Sequence, residues 1–411
     1  MERALISLSE AREAVLESVQ RLGDEQVPLA DAIDRVLSAD VVATTDVPAF
    51  RSSAMDGYAI AAGAAGRTLG VVGESRAGKP SPRQLGGQEA IRVSTGAAIP
   101  DGATAVIRQE DVRDPAAGRH GNSEAVAAQI ETEADTAPGA NIREVGEDML
   151  AGTRVLEAGT RLGAAELGAA AAAGAGTLTV ACRPRVAVIS TGDELRAPGE
   201  PLGPGEVHSL NEVILAALAR RSGALVSTRT RLPDKRAATE AGLDAALWHS
   251  DVVIVSGGVS VGPHDHIKPA LVRLGVKEQF WGVALKPGKP TWFGTKEGKL
   301  VFGLPGNPVS AVVTFVLFAA PALRALQGAA PPRGSELKAV LGTSLALDPR
   351  RAQAIRVRLE HDPGRTIALP NGPQSSHIVS SLLGADGLAL LDRGQGEIGA
   401  GEPVTVERLP N

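Results

Sequence analysis

The run Val252-Val253-Ile254-Val255, closed by Ser256-Gly257-Gly258, most constrains what this chain can fold into. Four consecutive apolar, mostly β-branched residues read as a strand buried on both faces, which belongs in the middle of a parallel sheet. The strand empties at once into Ser256, Gly257 and Gly258, followed by Ser260 and Gly262. Open α/β sheets build their ligand sites there, outside the carboxyl ends of their strands. Glycine permits close backbone approach, and free N–H groups with hydroxyls suit an oxyanion or phosphate. Asp265 then stands near Lys268 at the entrance to a helix predicted over PALVRLGV. A tight turn that binds nothing uses the same residues, and the segment alone leaves both readings open.

The surrounding pattern supports an α/β domain. From Arg185 to Ser310, VAVIS, NEVILAALAR, VVIVS and PALVRLG alternate strand and helix, with further strands at TWFGT and LVFGLPG. The expected sheet is mostly parallel with helices on both faces. Between Asp46 and Glu133, short alternating runs (YAIAA, LGVVGE, AIRVST, TAVIRQ) divided by Gly, Pro and Asp predict a small all-β domain. Ser7 with Glu10 forms a capping-box signature, with Ala11, Val15, Val19 and Leu22 on one helical face behind it. LADAIDRVLSAD reads as a second helix, and AAELGAAAAAG as a third, ended by Gly174. After PPRGSE, a predicted linker, the runs IRVRLE, TIALP, LALLD and PVTVER predict a closing β-barrel or sandwich.

Composition removes several function classes. The 411 residues carry a net charge of −5, which gives no global attraction to nucleic acid or anionic membrane. With 2% aromatic residues, stacking platforms for bases are scarce. Cys182 stands alone, which excludes an internal disulfide and a cysteine-rich metal site. The N-terminal residues show no signal-peptide core, so a cytoplasmic location is expected. No apolar span long enough for a bilayer is expected. The best approach to one, Ala311 to Leu323, contains Pro321 and reads as a buried helix.

Four further loops carry compatible chemistry. Ser190, Thr191, Gly192, Asp193 and Glu194 follow the strand VAVIS, and two carboxylates beside hydroxyls can hold Mg²⁺ with a substrate phosphate. Capping by Thr191 or Asp193 is the structural alternative. Lys286 and Lys289, stiffened by Pro287 and Pro290, favour an oxyanion between them over a solvated pair. In GLPGNPVSA, Gly306, Asn307 and Ser310 would aim donors at an anion, while Asn307 and Pro308 also suit a plain helix start. Ser52, Ser53 and Asp56 precede a strand, where Asp56-Gly57 also suits a simple turn. His264 and His266 lack supporting ligands and read as surface residues. Together the loops predict an Mg²⁺-assisted site for a phosphorylated or oxyanionic small molecule.

The ordered set SAMDGYA, STGAAIPDGATAVI, NIREVGED, ISTGDEL, SGGVSVGPHDHIK, KPGKP and GLPGNPVSA resembles the molybdopterin molybdenumtransferase family, which includes the E domain of gephyrin. The resemblance spans nearly the whole chain. It implies an elongated homodimer of four-domain subunits: a discontinuous domain (1–46 with 140–180), an inserted β domain (47–139), an α/β molybdopterin-binding domain (181–328) and a C-terminal β domain (329–411). It also implies a reaction in which molybdenum from molybdate enters adenylylated molybdopterin, with Mg²⁺, releasing AMP and molybdenum cofactor. A transient contact with the molybdopterin adenylyltransferase follows.

By motif, Asp56, Glu194, Asp265, Lys286 and Lys289 take the catalytic roles, with Glu194 and Asp265 at the metal. Thr95, Asp148, Asp234, Pro305, Pro308 and Ser310 join the loop residues Ser190 to Gly192, Ser256 to Gly258, Ser260, Gly262, Lys268, Gly306 and Asn307 as substrate contacts. Arg356 and Ser376 are candidate molybdate contacts. Asp56, Thr95 and Asp148 are expected in a cleft that draws on both subunits. Arg51 and Ser52 depart from the family's Asp/Asn-Asn before SAMDG, and the histidines of GPHDH depart from its acidic or small residues. A molybdopterin-binding scaffold without catalysis is the rival reading, against which the retained carboxylates and lysines speak. An insertase using tungstate is a second rival, which no sequence feature separates.

Overall fold

The computed structural model describes residues 4–113, 128–258, 266–331 and 336–410. Helix α1, Leu8–Glu17, begins as its sequence requires: Ser7 Oγ accepts the Glu10 N–H, and the Glu10 carboxylate accepts the Ser7 N–H at 2.7 Å. Its end at Glu17 leaves Val19 and Leu22, expected on the same helical face, to pack from the segment beyond. Ala11 and Val15 belong to the core of the α/β domain. Residues 27–43 pack into a separate core with the residues around 162–180.

LADAIDRVLSAD is not a helix. It keeps one 3₁₀ turn, Leu29–Asp31, and then Asp34 takes a φ of 62°. Val36 and Leu37 bridge to Arg161 and Val180, so tertiary pairing takes the backbone groups a helix would use. Strand Asp24–Pro28 pairs with Thr177–Ala181, which packs this segment against helix α2, Ala164–Ala172. Gly174 closes α2 at a φ of 87°, as the sequence predicts. The segment between carries a six-stranded sheet, built from Gly57–Ile60, Thr68–Ser75, Glu89–Val93, Ala105–Arg108, Val112–Arg113 and Gln129–Thr132. It is tethered where Ser52–Ser53 pairs with Ile142–Arg143.

The α/β sheet contains β1 (Arg185–Thr191), β2 (Leu225–Leu232), β3 (Val252–Ser256), β4 (Lys277–Trp281), β5 (Trp292–Lys296) and β6 (Lys299–Leu304). Their order is β2-β1-β3-β6-β5-β4; the first four are parallel, β5 runs antiparallel to β6, and β4, antiparallel to β5, runs in the direction of the first four. Side chains alternate between two cores. Val186, Val188, Val252 and Ile254 face α3 (Asn211–Arg221), whereas Ala187, Ile189, Val253 and Val255 face α4 (Arg236–His249) and α5 (Ile267–Arg273). This double cover is why β3 contains no polar residue before Ser256.

Helix α6, Pro308–Leu326, is among the described residues the one helix long and apolar enough to cross a membrane, so the apolar span exceeds the one expected from sequence. It is 83% buried inside the protein, as the buried-helix reading predicts. A π segment, Phe315–Ala319, lies just before Pro321 and loosens the turn into which the proline ring would otherwise clash. The last strands, β7 (Glu336–Leu341), β8 (Ala352–Asp362), β9 (Arg365–Pro370), β10 (Gly387–Leu391) and β11 (Pro403–Arg408), close into a ring in the order β8-β9-β7-β11-β10-β8. Of the barrel and the sandwich, the barrel is found. Leu285–Lys286 pairs alongside β8, and Ala354 and Leu388 join the α/β core, so the barrel docks directly on that domain.

Candidate functional site

A cavity of about 510 Å³ opens at the carboxyl ends of β1 and β3. Ser190, Thr191, Gly192 and Glu194 reach it from β1, and Ser256, Gly257 and Gly258 from β3. Asp234 follows β2, and Gly306 and Pro308 come from the turn into α6. Two glycines here are required by geometry. Gly258 has a φ of 63°, and a Cβ would lie 2.7 Å from Ile267 Cγ1. Gly192 has a φ of 145°, and a Cβ there would overlap the Glu194 carboxylate. Asp193 does not cap a helix with its side chain; its Oδ1 accepts the Asp234 N–H at 3.0 Å and ties the two carboxylate loops together.

Three polar lining residues were not singled out from the sequence: His208, Ser209 and Asn211. Asn211 Nδ2 donates to Ser256 Oγ at 2.8 Å and to the Gly306 carbonyl at 2.6 Å, joining the end of β3 to the turn before α6. Ser256 in turn donates to the Pro305 carbonyl at 3.2 Å. From the sequence Asn211 is only the first residue of the helix run NEVILAALAR, and it does start α3.

A second cluster gathers where α6 meets the barrel. Asn307 does not cap α6 with its side chain; its Nδ2 donates to Ser376 Oγ at 3.2 Å, and the Val309 N–H donates to the Ser376 carbonyl at 3.1 Å. Ser310 is buried in the first turn of the same helix. Arg356 is wholly buried: Nη2 donates to the Pro373 carbonyl at 2.8 Å, and Nε and Nη1 have no partner among the described residues. Burial pushes its guanidinium pKa down. The KPGKP loop lies against α6, since a Cβ at Gly288 would meet Thr314 Cγ2 at 2.8 Å. Lys286 and Lys289 are exposed on that loop and do not line the 510 Å³ cavity. Lys286 Nζ stands 3.8 Å from Asp348.

Other expected residues lie elsewhere. Asp56 Oδ1 accepts both the backbone N–H and the hydroxyl of Thr95, at 2.7 and 3.1 Å, so these two do meet. Neither they nor Asp148 line the α/β cavity. The Arg51 guanidinium is neutralised by Glu144, 3.1 Å away, and Ser52 is buried in a strand pair. Lys268 Nζ lies 4.7 Å from the centroid of the Trp281 ring. Ser260, Gly262, His264 and Asp265 lie outside the described residues.

The cavity's charged residues are the carboxylates Glu194 and Asp234; no Lys or Arg lines it among the described residues. No group of three His, Cys, Asp or Glu stands ready for a metal among the described residues. Magnesium bound with a phosphate takes one or two protein carboxylates, so the pair Glu194 and Asp234 fits that ion.

Three family models match consecutive parts of the chain: the MoeA N-terminal region (domain I and II) over residues 6–174, a probable molybdopterin-binding domain over 187–325, and the MoeA C-terminal region (domain IV) over 338–409. Molybdopterin molybdenumtransferase 2 of Mycobacterium tuberculosis is 37% identical, over 97% of this chain and 98% of its own length. The molybdopterin molybdenumtransferase of Haemophilus influenzae is 35% identical, over 98% of each. A crystal structure of a molybdopterin biosynthesis MoeA protein from Pyrococcus horikoshii superposes with a TM-score of 0.79 at 31% identity, covering 99% of this chain and 100% of that one. With its full length matched and its α/β, inserted β and barrel parts in the same order, the chain belongs to the MoeA family of molybdopterin molybdenumtransferases.

Proposed function

We propose that this protein inserts molybdenum from molybdate into adenylylated molybdopterin, releasing AMP and molybdenum cofactor, with Mg²⁺ as cofactor. The observation that carries this reading is the cavity at the ends of β1 and β3, lined by two carboxylates and by three buried side-chain oxygens without a partner among the described residues, in a full-length MoeA relative. Glu194 and Asp234 would hold the metal, with Asp265 as a further candidate. When bound, the ion offsets phosphate charge as the anhydride breaks. The chain's own groups bind and orient the substrate. Gly192, Gly257 and Gly258 let the backbone approach it closely. Arg356, Ser376 and the start of α6, with Lys286 and Lys289 above, offer the cationic and N–H donors that suit molybdate.

The reading extends to a homodimer in the cytoplasm. Asp56, Thr95 and Asp148, which do not line the cavity of their own chain, would then serve the partner's cleft. The adenylyltransferase that makes the substrate would meet this protein transiently.

The test is AMP release from adenylylated molybdopterin by the purified protein, with and without molybdate and Mg²⁺, beside Glu194→Gln. Molybdate-dependent release that the variant loses supports the reading. Tight substrate binding with no AMP release by the wild type would sink it.

A further inference from the structure

Three oxygens in the residues lining the cavity have no hydrogen-bond partner among the described residues: Ser190 Oγ, Ser209 Oγ and Asn211 Oδ1. Ser190 and Ser209 are only 1% and 2% exposed. Buried polar groups in native proteins are nearly always paired, because an unpaired one loses its hydration without return. Three such groups around one cavity point to a partner that arrives from outside.

The chemistry of that partner follows from what each group can do. Asn211 is oriented by its neighbours: the Gly306 carbonyl can only accept, so the nitrogen must face it and Oδ1 must face away. Oδ1 is therefore a fixed acceptor. The two serine hydroxyls turn about one torsion and can give or accept. With Glu194 and Asp234 as its only acidic or basic residues besides His208 among the described residues, the cavity repels a bare phosphate. A fixed acceptor, two adaptable hydroxyls and no lining Lys or Arg among the described residues suit a flat neutral ring that carries N–H donors.

We infer that Asn211, Ser190 and Ser209 recognise the N–H-bearing edge of the substrate's heterocycle, with Asn211 Oδ1 accepting from the ring and the hydroxyls completing its hydrogen bonds. This rests on the function proposed above, whose substrate has two such rings, the pterin and the adenine.

The experiment titrates the full-length protein calorimetrically with 6-hydroxymethylpterin and, separately, with AMP, using wild type, Ser190→Ala and Ser209→Ala. Each variant removes a hydroxyl that bonds to nothing in the described protein. The expected result is about tenfold weaker binding in one arm, equivalent to about 1.4 kcal/mol, with a melting temperature unchanged or raised. The arm that weakens names the ring. Unchanged affinity in both arms, or a variant that melts several degrees lower, overturns the inference, as does a wild type that binds neither probe. Wild-type AMP release with unaltered serine variants would remove this inference alone. Heterocycle binding that the variants weaken, without AMP release by the wild type, would remove the function alone.

Discussion

Replacing Arg356 by Met should stabilise the ligand-free protein, a direction opposite to that of most buried substitutions. The guanidinium is 0% exposed and keeps one good hydrogen bond, to the Pro373 carbonyl at 2.8 Å, and a long one to the Ser375 carbonyl at 3.4 Å. Losing the good bond removes about 1.5–3 kcal/mol, the range for bonds to a charged group. Against that stand two buried nitrogens without partners, at about 1–3 kcal/mol each, and a buried cation with no carboxylate partner among the described ion pairs. The net gain should be about 1–3 kcal/mol. A gain of 1 kcal/mol corresponds to roughly 4–8 °C in the melting of a unit the size of the barrel. Burial lowers the guanidinium pKa, so the penalty is complete below that lowered value and is relieved as pH rises through it. Millimolar molybdate should cancel or reverse the difference, because an anion at a hundred times its Kd adds about 2.7 kcal/mol to the wild type only. Differential scanning calorimetry with and without molybdate reads both effects. A variant that melts lower than wild type without anion, or responds to molybdate as wild type does, refutes the reasoning.

Three further outcomes are expected. Gly258→Ala meets a left-handed φ of 63° and a 2.7 Å contact with Ile267, and should lose about 2–3 kcal/mol in denaturant unfolding together with substrate binding. Asp56→Asn and Glu194→Gln should each abolish AMP release, and mixing the two variants should restore part of it if the cleft is shared between subunits; no recovery in a mixed dimer counts against sharing. The Asp348 carboxyl is held below its ordinary value chiefly by the Arg350 backbone N–H, then by Arg351 and Lys286, against the effect of burial. Its stabilisation is therefore complete above the ordinary 3.8 and disappears as pH falls through the lower folded value. Asp348→Asn should flatten the acid limb of a stability–pH curve, and an unaltered limb would show that the carboxylate holds nothing.

The middle of the sheet and half the cavity were legible because β1, β3 and β6 are built on apolar runs with ligand residues directly after them, whereas the edge strands β2 (LVSTRTRL) and β4 (KEQFW) are mostly polar and gave no strand signal. Ser190 to Gly192 after β1 and Ser256 to Gly258 after β3 needed no tertiary knowledge. Asn211 and Ser209 were illegible because they stand at the start of a helix run and outside any Gly-rich loop after a strand, and only the position of the Gly306 carbonyl shows what the amide does. The burial of Arg356 was hidden for another reason. In IRVRLE, alternation puts Ile355 inward and Arg356 outward, yet the outer face of β8 is covered by the α/β domain, as Ala354 and Leu388 show. LADAIDRVLSAD failed likewise: its helical period was overridden by pairing partners more than a hundred residues away, at Arg161 and Val180.

The turn Pro305-Gly306-Asn307-Pro308 separates two chemistries that interfere if mixed. On one side, Gly306 and Pro308 line a cavity whose carboxylates repel bare oxyanions. On the other, Asn307 holds Ser376, beside the Ser375 carbonyl that Arg356 also touches. On the proposed function, the turn lets a neutral ring and an anion bind within one substrate length without sharing a field. Asn307→Ala tests that division. It removes the 3.2 Å bond to Ser376 Oγ but leaves the bond from Val309 to the Ser376 carbonyl, so the loop keeps its place while the hydroxyl is released. The KM for molybdate should rise about three- to tenfold, the effect of roughly 1 kcal/mol in one hydrogen bond, with pterin and AMP affinities unchanged. If heterocycle affinity falls by the same factor, the turn couples the two sites instead of partitioning them.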